Sequence, residues 1–360
     1  MSGNLVLHRY LNLNPHIKTQ VVKWSRFPLR LKIIGKLRQL GFRILSRFLE
    51  CLSPVLPPMK MVANQVRSFK PHVLLTVAHG SWHVQAAAAA KKFDLPLVTF
   101  FQDWWPDFPD VLPPFRKRVE RQILETCAAS SVAVCVSDGM LEMLGNPMNG
   151  KLIHDIPSQV RFTPSKQELN GTLRVIYFGN LHEYGPPIEK ALLALQGSQS
   201  VRLEVYGPKP LWTTGVEEKF TKSHQYHGLV ARDKLENILK EFQAVLVVMS
   251  FAPSMKRRMM SSFPSKLIEG AQSGLPIIVW GPEYCSAVKW AQEGNRALYV
   301  TDSNPATLRK ASEDLAASPG EQQRLAIAAT QAAQTEFNPD TIQAQFMETL
   351  LKVIRRPQVA

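Results

Sequence analysis

The sequence predicts a two-domain α/β protein built on parallel sheets, and three observations carry that expectation. Short apolar runs, among them Leu97–Phe101, Leu173–Phe178 and Ile277–Trp280, alternate with stretches of helical character. A run that is apolar at every residue suits a strand covered on both faces, as parallel strands are. The chain is 360 residues long, which suits two domains of ordinary size. Residues 146–166 are rich in Pro, Asn, Gln and Ser, and the boundary is placed there. The resulting expectation is one domain over 1–160, a second over 161–337, and a last helix over 338–360.

Composition excludes several classes. Apolar residues make up 45% and charged residues 20%, so the chain is globular rather than disordered. Cys51, Cys127, Cys135 and Cys285 form no CxxC pair and no His-spaced set. They read as buried thiols of a reducing compartment, and no metal is expected. No apolar run approaches the roughly 20 residues that span a bilayer. The expected location is cytoplasmic, peripheral on the inner face of a membrane.

The elements follow in order. Residues 5–13 read as a helix after the loop Ser2-Gly3-Asn4, and 19–24 as a strand. No strand precedes that loop, which leaves either a start assigned late or a first sheet one strand short. Within residues 29–52, Lys32, Lys36, Arg43 and Arg47 fall in a sector of about 60° at about 100° per residue. Ile34, Leu37, Ile44, Leu45 and Phe48 lie opposite. Periodicity alone fits both an interfacial helix on anionic lipid and an ordinary domain helix. Residues 1–70 hold 13 Lys or Arg against the single acid Glu50, a net +12 of the chain's +14. So sharp an asymmetry implies an anionic partner. Nucleic acid is set aside, because no aromatic residues interleave with the basic face.

Beyond the Pro-rich loop at 52–58, residues 73–78 read as a strand ending at His79, 86–92 as a helix, and Leu97–Phe101 as a strand ending near Asp103. Loops after parallel strands lie at the carboxyl edge, where ligands bind. A strand at 173–178 leads to Gly179 and Asn180. Further on come a strand at 201–206, the segment Tyr226-His227-Gly228-Leu229-Val230, a helix over 235–242 and a strand over 244–249. Residues 254–261, with Lys256, Arg257 and Arg258, read as a loop that is either a solvated charge run or a source of the cations that position 180 lacks. Asn338-Pro339 opens a final helix.

Residues 262–283, SFPSKLIEGAQSGLPIIVWGPE, hold the strongest local pattern. Ser262 reads as a helix N-cap with Pro264 in the first turn. Gly274 ends the helix and Pro276 forbids its continuation. Lys266 and Glu269 share a helix face. A cation suits phosphate, and a carboxylate can accept two hydrogen bonds from a ribose diol.

This segment resembles the donor-binding helix of retaining glycosyltransferases of family 4, through Ser262, Pro264, Ser265, Lys266, Glu269, Gly274, Pro276 and Ile277. Glu269 falls on the second Glu of that family's E-x7-E motif, while the first falls on Ser261. Asp103, Trp105 and Pro106 match an R-D-L-W-P motif of bacterial surface-polysaccharide enzymes, with Gln102 where many members have His. Asn180 stands at the Arg of a G-R-L loop. The resemblance implies the GT-B fold, two Rossmann-like domains facing a cleft. It implies transfer of a sugar from a nucleotide-sugar donor to a lipid-linked or glycan acceptor, with retention and without metal or cofactor. Gly179, Asn180, Gly228, Leu229, Ser262, Ser265, Lys266 and Glu269 would bind the donor, and Asp103 and His79 would serve catalysis. A non-catalytic membrane-associated relative and a sugar-nucleotide epimerase of the same fold remain as alternatives.

Overall fold

The computed structural model describes residues 59–157 and 171–355. The expected helix at 5–13, the strand at 19–24 and the basic helix at 29–52 lie outside the described residues. The chain divides into two compact units, one of Met1–His154 with Gln343–Ala360 and one of Asp155–Ile342.

The first unit runs α1 (Met59–Phe69), β1 (Leu74–Val77), α2 (Trp82–Phe93), β2 (Leu97–Phe101), α3 (Arg116–Ala129), β3 (Val132–Cys135), α4 (Asp138–Met143) and β4 (Gly150–Leu152). The strands pair in the order β1-β2-β3-β4, all parallel, with Leu74 opposite Leu97 and Val98 opposite Val132. All five residues of β2 are buried, which is why its run is apolar without alternation. Thr99 is the polar exception. Its hydroxyl hydrogen-bonds Ser130 Oγ at 2.7 Å, and Ser130 Oγ donates to the Thr126 carbonyl. The Thr126 hydroxyl in turn meets His83 Nδ1 at 2.8 Å. Burial pulls His83 down to about 4, so it is neutral at pH 7.

The second unit runs β5 (Leu173–Phe178), α5 (Leu181–Leu195), β6 (Val201–Tyr206), α6 (Val216–Lys222), α7 (Arg232–Leu239), β7 (Ala244–Val248), α8 (Lys256–Ser261), α9 (Ser265–Gln272), β8 (Ile277–Trp280), α10 (Ser286–Gln292), β9 (Leu298–Val300), α11 (Pro305–Ala316) and α12 (Pro319–Gln334). Its sheet is parallel in the order β6-β5-β7-β8-β9. Alternate residues of each strand enter cores on opposite faces. Val175, Leu246, Ile278 and Trp280 go to one core, and Ile176, Val245, Ile277 and Val279 to the other. Trp280 is 1% exposed and its indole N–H is satisfied by the Asp302 carbonyl at 2.8 Å. A Cβ on Gly270 would meet Val245 Cγ1 at 3.1 Å, so glycine lets α9 lie close on β7. The final helix, α13 (Pro339–Arg355), starts where Asn338 Oδ1 accepts from the amides of Asp340 and Thr341. Its later residues belong to the first unit, where Phe346 packs on Phe100 and Thr349 accepts from Lys151.

Two local expectations are corrected. Helix α9 starts at Ser265, with Pro264 in extended conformation as its N-cap residue. Ser262 instead ends α8, and its carbonyl accepts a hydrogen bond from Ser286. The physical reason is Pro264, which disfavours helical geometry at the residue before it. Residues 254–261 are not a loop either, for Lys256–Ser261 is helical. Arg258 within it is only 3% exposed, so the run Lys256-Arg257-Arg258 is not wholly a solvated one.

Candidate functional site

In the second unit β5 pairs with β6 on one side and β7 on the other, so the strand order reverses beside β5. Crevices at the carboxyl ends of strands bordering such a reversal are where open parallel sheets bind ligands. A cavity of about 350 Å³ lies there, within the size range of small-molecule sites. It is lined by Phe178 and Gly179 at the end of β5, by Tyr206, Gly207 and Pro208 at the end of β6, and by Leu229 and Val230. Helix α9 contributes Ser265, Lys266, Glu269 and Gln272. Leu229 is 79% exposed on this rim.

Most of the cavity's polar side chains come from α9. Lys266 lies across the backbone of Gly179, so closely that a Cβ there would collide with Lys266 Cε and reach Nζ at 2.9 Å. Gly179 also has φ +141, open only to glycine, so that position is fixed both by backbone and by neighbour. Gly207 is fixed similarly, because a Cβ there would strike the Gly179 carbonyl. Burial pulls the Lys266 ammonium below its ordinary value, while Glu269 and Glu183 pull the other way. A desolvated cation with incomplete compensation favours an incoming anion.

Beneath the cavity, Tyr206 stacks on His227 at 4.4 Å and 9° between planes. His227 Nε2 meets Glu204 Oε2 at 2.8 Å, and Glu204 also takes Arg174 at 3.0 Å. Burial would raise the Glu204 carboxyl, but its hydrogen bonds to His227 and Arg174 hold it below the usual carboxylate range. This network, anchored on the buried Glu204, sets the plane of the Tyr206 ring that faces the cavity.

Of the predicted donor residues, Gly179, Leu229, Ser265, Lys266 and Glu269 line one cavity. Asn180, Gly228 and Ser262 do not. Asn180 is the N-cap of α5, its side-chain oxygen accepting from the His182 amide at 2.9 Å. Gly228 holds φ +72 and its carbonyl accepts from the Gly207 amide, which places Leu229 at the rim. Sequence reasoning missed Tyr206 and Gln272. The Tyr-Gly-Pro run at the end of β6 was the available signal for the first.

Asp103 and His79 lie in the first unit, after the carboxyl ends of β2 and β1, which are neighbours in the sheet. Both are half-buried. The His79 ring sits 4.0 Å from Trp105 and 5.4 Å from Phe108. Ser261 is fully buried and its hydroxyl donates to the Arg257 carbonyl at 2.9 Å. Among the described residues, no group of three or more His, Cys, Asp or Glu is placed to hold a metal ion.

No family model matches the chain, and no curated protein matches its sequence. The fold does have solved counterparts. HepE of Anabaena in complex with UDP and glucose matches at TM-score 0.62 and 16% identity, over 81% of this chain and 80% of that one. A glycosyltransferase from Rickettsia africae matches at TM-score 0.63 and 13% identity, over 94% and 85%. Sucrose-phosphate synthase from Thermosynechococcus elongatus matches at TM-score 0.63 and 13% identity, over 94% and 86%. At these identities the likeness is one of fold. The fold is GT-B, the α/β architecture of two parallel-sheet domains found among glycosyltransferases.

Proposed function

We propose that the chain is a glycosyltransferase of the retaining family 4 type, taking a sugar from a nucleotide-sugar donor to a lipid-linked or polysaccharide acceptor. The observation that carries this reading is the placement of Lys266 and Glu269 on one helix, in a cavity at the strand-order reversal, with Lys266 lying on Gly179. HepE was solved with UDP and with UDP-glucose, which supports a uridine nucleotide as the first probe.

The chemistry follows from charge. Departure of a nucleoside diphosphate develops negative charge on a phosphate oxygen. Lys266 and the backbone amides at the start of α9 would stabilise that charge more in the transition state than before it. Glu269 would accept from the ribose diol and fix the nucleotide's register. Asp103, aided by His79, would orient the acceptor hydroxyl or the donor sugar from the first unit. Retention requires leaving phosphate and entering acceptor on the same face of the sugar. The net +12 of residues 1–70 supports peripheral attachment to an anionic membrane carrying the acceptor.

The test is titration calorimetry with UDP on the intact chain. Glu269→Gln is expected to weaken binding by about 1.5–3 kcal/mol, as for a hydrogen bond to a charged group, with the thermal transition preserved. Unchanged affinity would take Glu269 out of the site.

One observation favours a second reading. Ser261, where the family pattern has its first Glu, is buried and bonded to its own helix, so it offers no carboxylate there. A non-catalytic donor-binding relative would bind UDP and turn nothing over.

A further inference from the structure

The sequence lacks the cation at position 180, and the structure brings another to the same turn. Arg258 of α8 is 3% exposed and forms an ion pair with Glu183, in the first turn of α5, four residues after Gly179. Its Nη1 also contacts Met255 Sδ at 3.2 Å. Glu183 keeps 28% of its side chain exposed, and its charge reaches Lys266, the other cation beside Gly179. Glu183 therefore pairs with Arg258 and acts at longer range on Lys266, on which Glu269 acts more strongly. A guanidinium this buried needs an anion, because desolvation of an unpaired charge is far costlier than pairing. Glu183 supplies it now. Unlike the arginine, it is only half-buried and keeps contact with solvent.

We propose that Glu183 occupies the second cation of the phosphate site, and that the donor's diphosphate displaces it from Arg258. This rests on the reading of the cavity as a nucleotide-sugar site and adds Arg258 as the cation that Asn180 does not provide. In the free protein Glu183 pairs with Arg258 and its charge also reaches Lys266, which Glu269 influences as well. An arriving diphosphate is repelled by Glu183 and attracted by both cations. Once it is seated, Arg258 exchanges one anion for another and Glu183 turns to solvent. Two consequences follow. Glu183 lowers affinity for diphosphates, and it has no effect on a ligand without phosphate.

The experiment compares UDP and uridine binding by calorimetry on the wild-type chain and on Glu183→Gln. The expected result is about tenfold tighter UDP binding by Glu183→Gln, with uridine affinity unchanged. The melting temperature of Glu183→Gln is expected to fall without ligand, since Arg258 loses its ion pair with Glu183, and to rise more with UDP than the wild type's does. Arg258→Lys is expected to weaken UDP binding, and should it fail to fold, Glu183→Gln still decides. UDP binding that is unchanged or weaker in Glu183→Gln makes the pair a structural tie and overturns this inference while leaving the donor site standing. If the wild type binds no UDP, both the inference and the reading beneath it fall.

Discussion

Lys266 and Gly179 show how a site can depend on a residue that has no side chain. The cation reaches the end of β5 because nothing projects from Gly179, and glycine alone tolerates the φ of +141 there. Asp103 is the residue whose role is most open to separation from binding. It follows β2 in the first unit, whereas the cavity is built from the second. Asp103→Asn keeps size and hydrogen-bonding capacity but removes the charge. We predict a fall in turnover of about a hundredfold with UDP affinity unchanged, the split expected of a group that positions reacting atoms. Steady-state kinetics beside calorimetry reads both quantities. Equal turnover in a well-folded variant would assign Asp103 to structure.

At the scale of elements, the strands were legible and one helix boundary was not. Ala244–Val248 and Ile277–Trp280 are apolar throughout and Leu173–Phe178 is broken only by the half-buried Arg174, because both faces are covered, and that pattern survives without knowledge of the fold. The start of α9 lies two residues later than the sequence suggests, since Ser262 and Pro264 fit a helix N-terminus as composition while Pro264 holds the segment extended as geometry. The short helix α8 was hidden for a different reason. Lys256-Arg257-Arg258 reads as surface by composition, whereas the buried Arg258 pairs with Glu183, distant in sequence. Tertiary partners of that kind leave no periodic trace. Three buried thiols, Cys127, Cys135 and Cys285, agree with the reading of those residues as core. The basic helix at 29–52 rests on sequence arithmetic alone. Changing Lys32, Lys36, Arg43 and Arg47 together to Gln is predicted to release the protein from anionic vesicles, since each cation near such a surface contributes about 1 kcal/mol. Flotation reads this. Equal binding to neutral and anionic vesicles would return the segment to an ordinary domain helix.

On the scale of the whole molecule, charge and fold point to separate tasks. A cavity in the second unit gathers five of the eight donor candidates, the acceptor-side candidates share one sheet edge in the first, and residues 1–70 concentrate the basic charge. Among the described residues no helix is long and apolar enough to cross a membrane. The two parallel sheets together with structural matches at TM-scores of 0.62 and 0.63 carry the GT-B assignment, which identities of 13–16% could not. What the molecule does with a bound nucleotide sugar is the central claim, and turnover tests it most directly. The purified chain is incubated with UDP-sugars, with and without glycan and lipid-linked acceptors, and UDP release and product mass are followed. Acceptor-dependent UDP release with a sugar added to the acceptor is the predicted result. A changed donor sugar that still carries UDP would make the protein an epimerase, and UDP binding with no turnover under any acceptor would contradict the account.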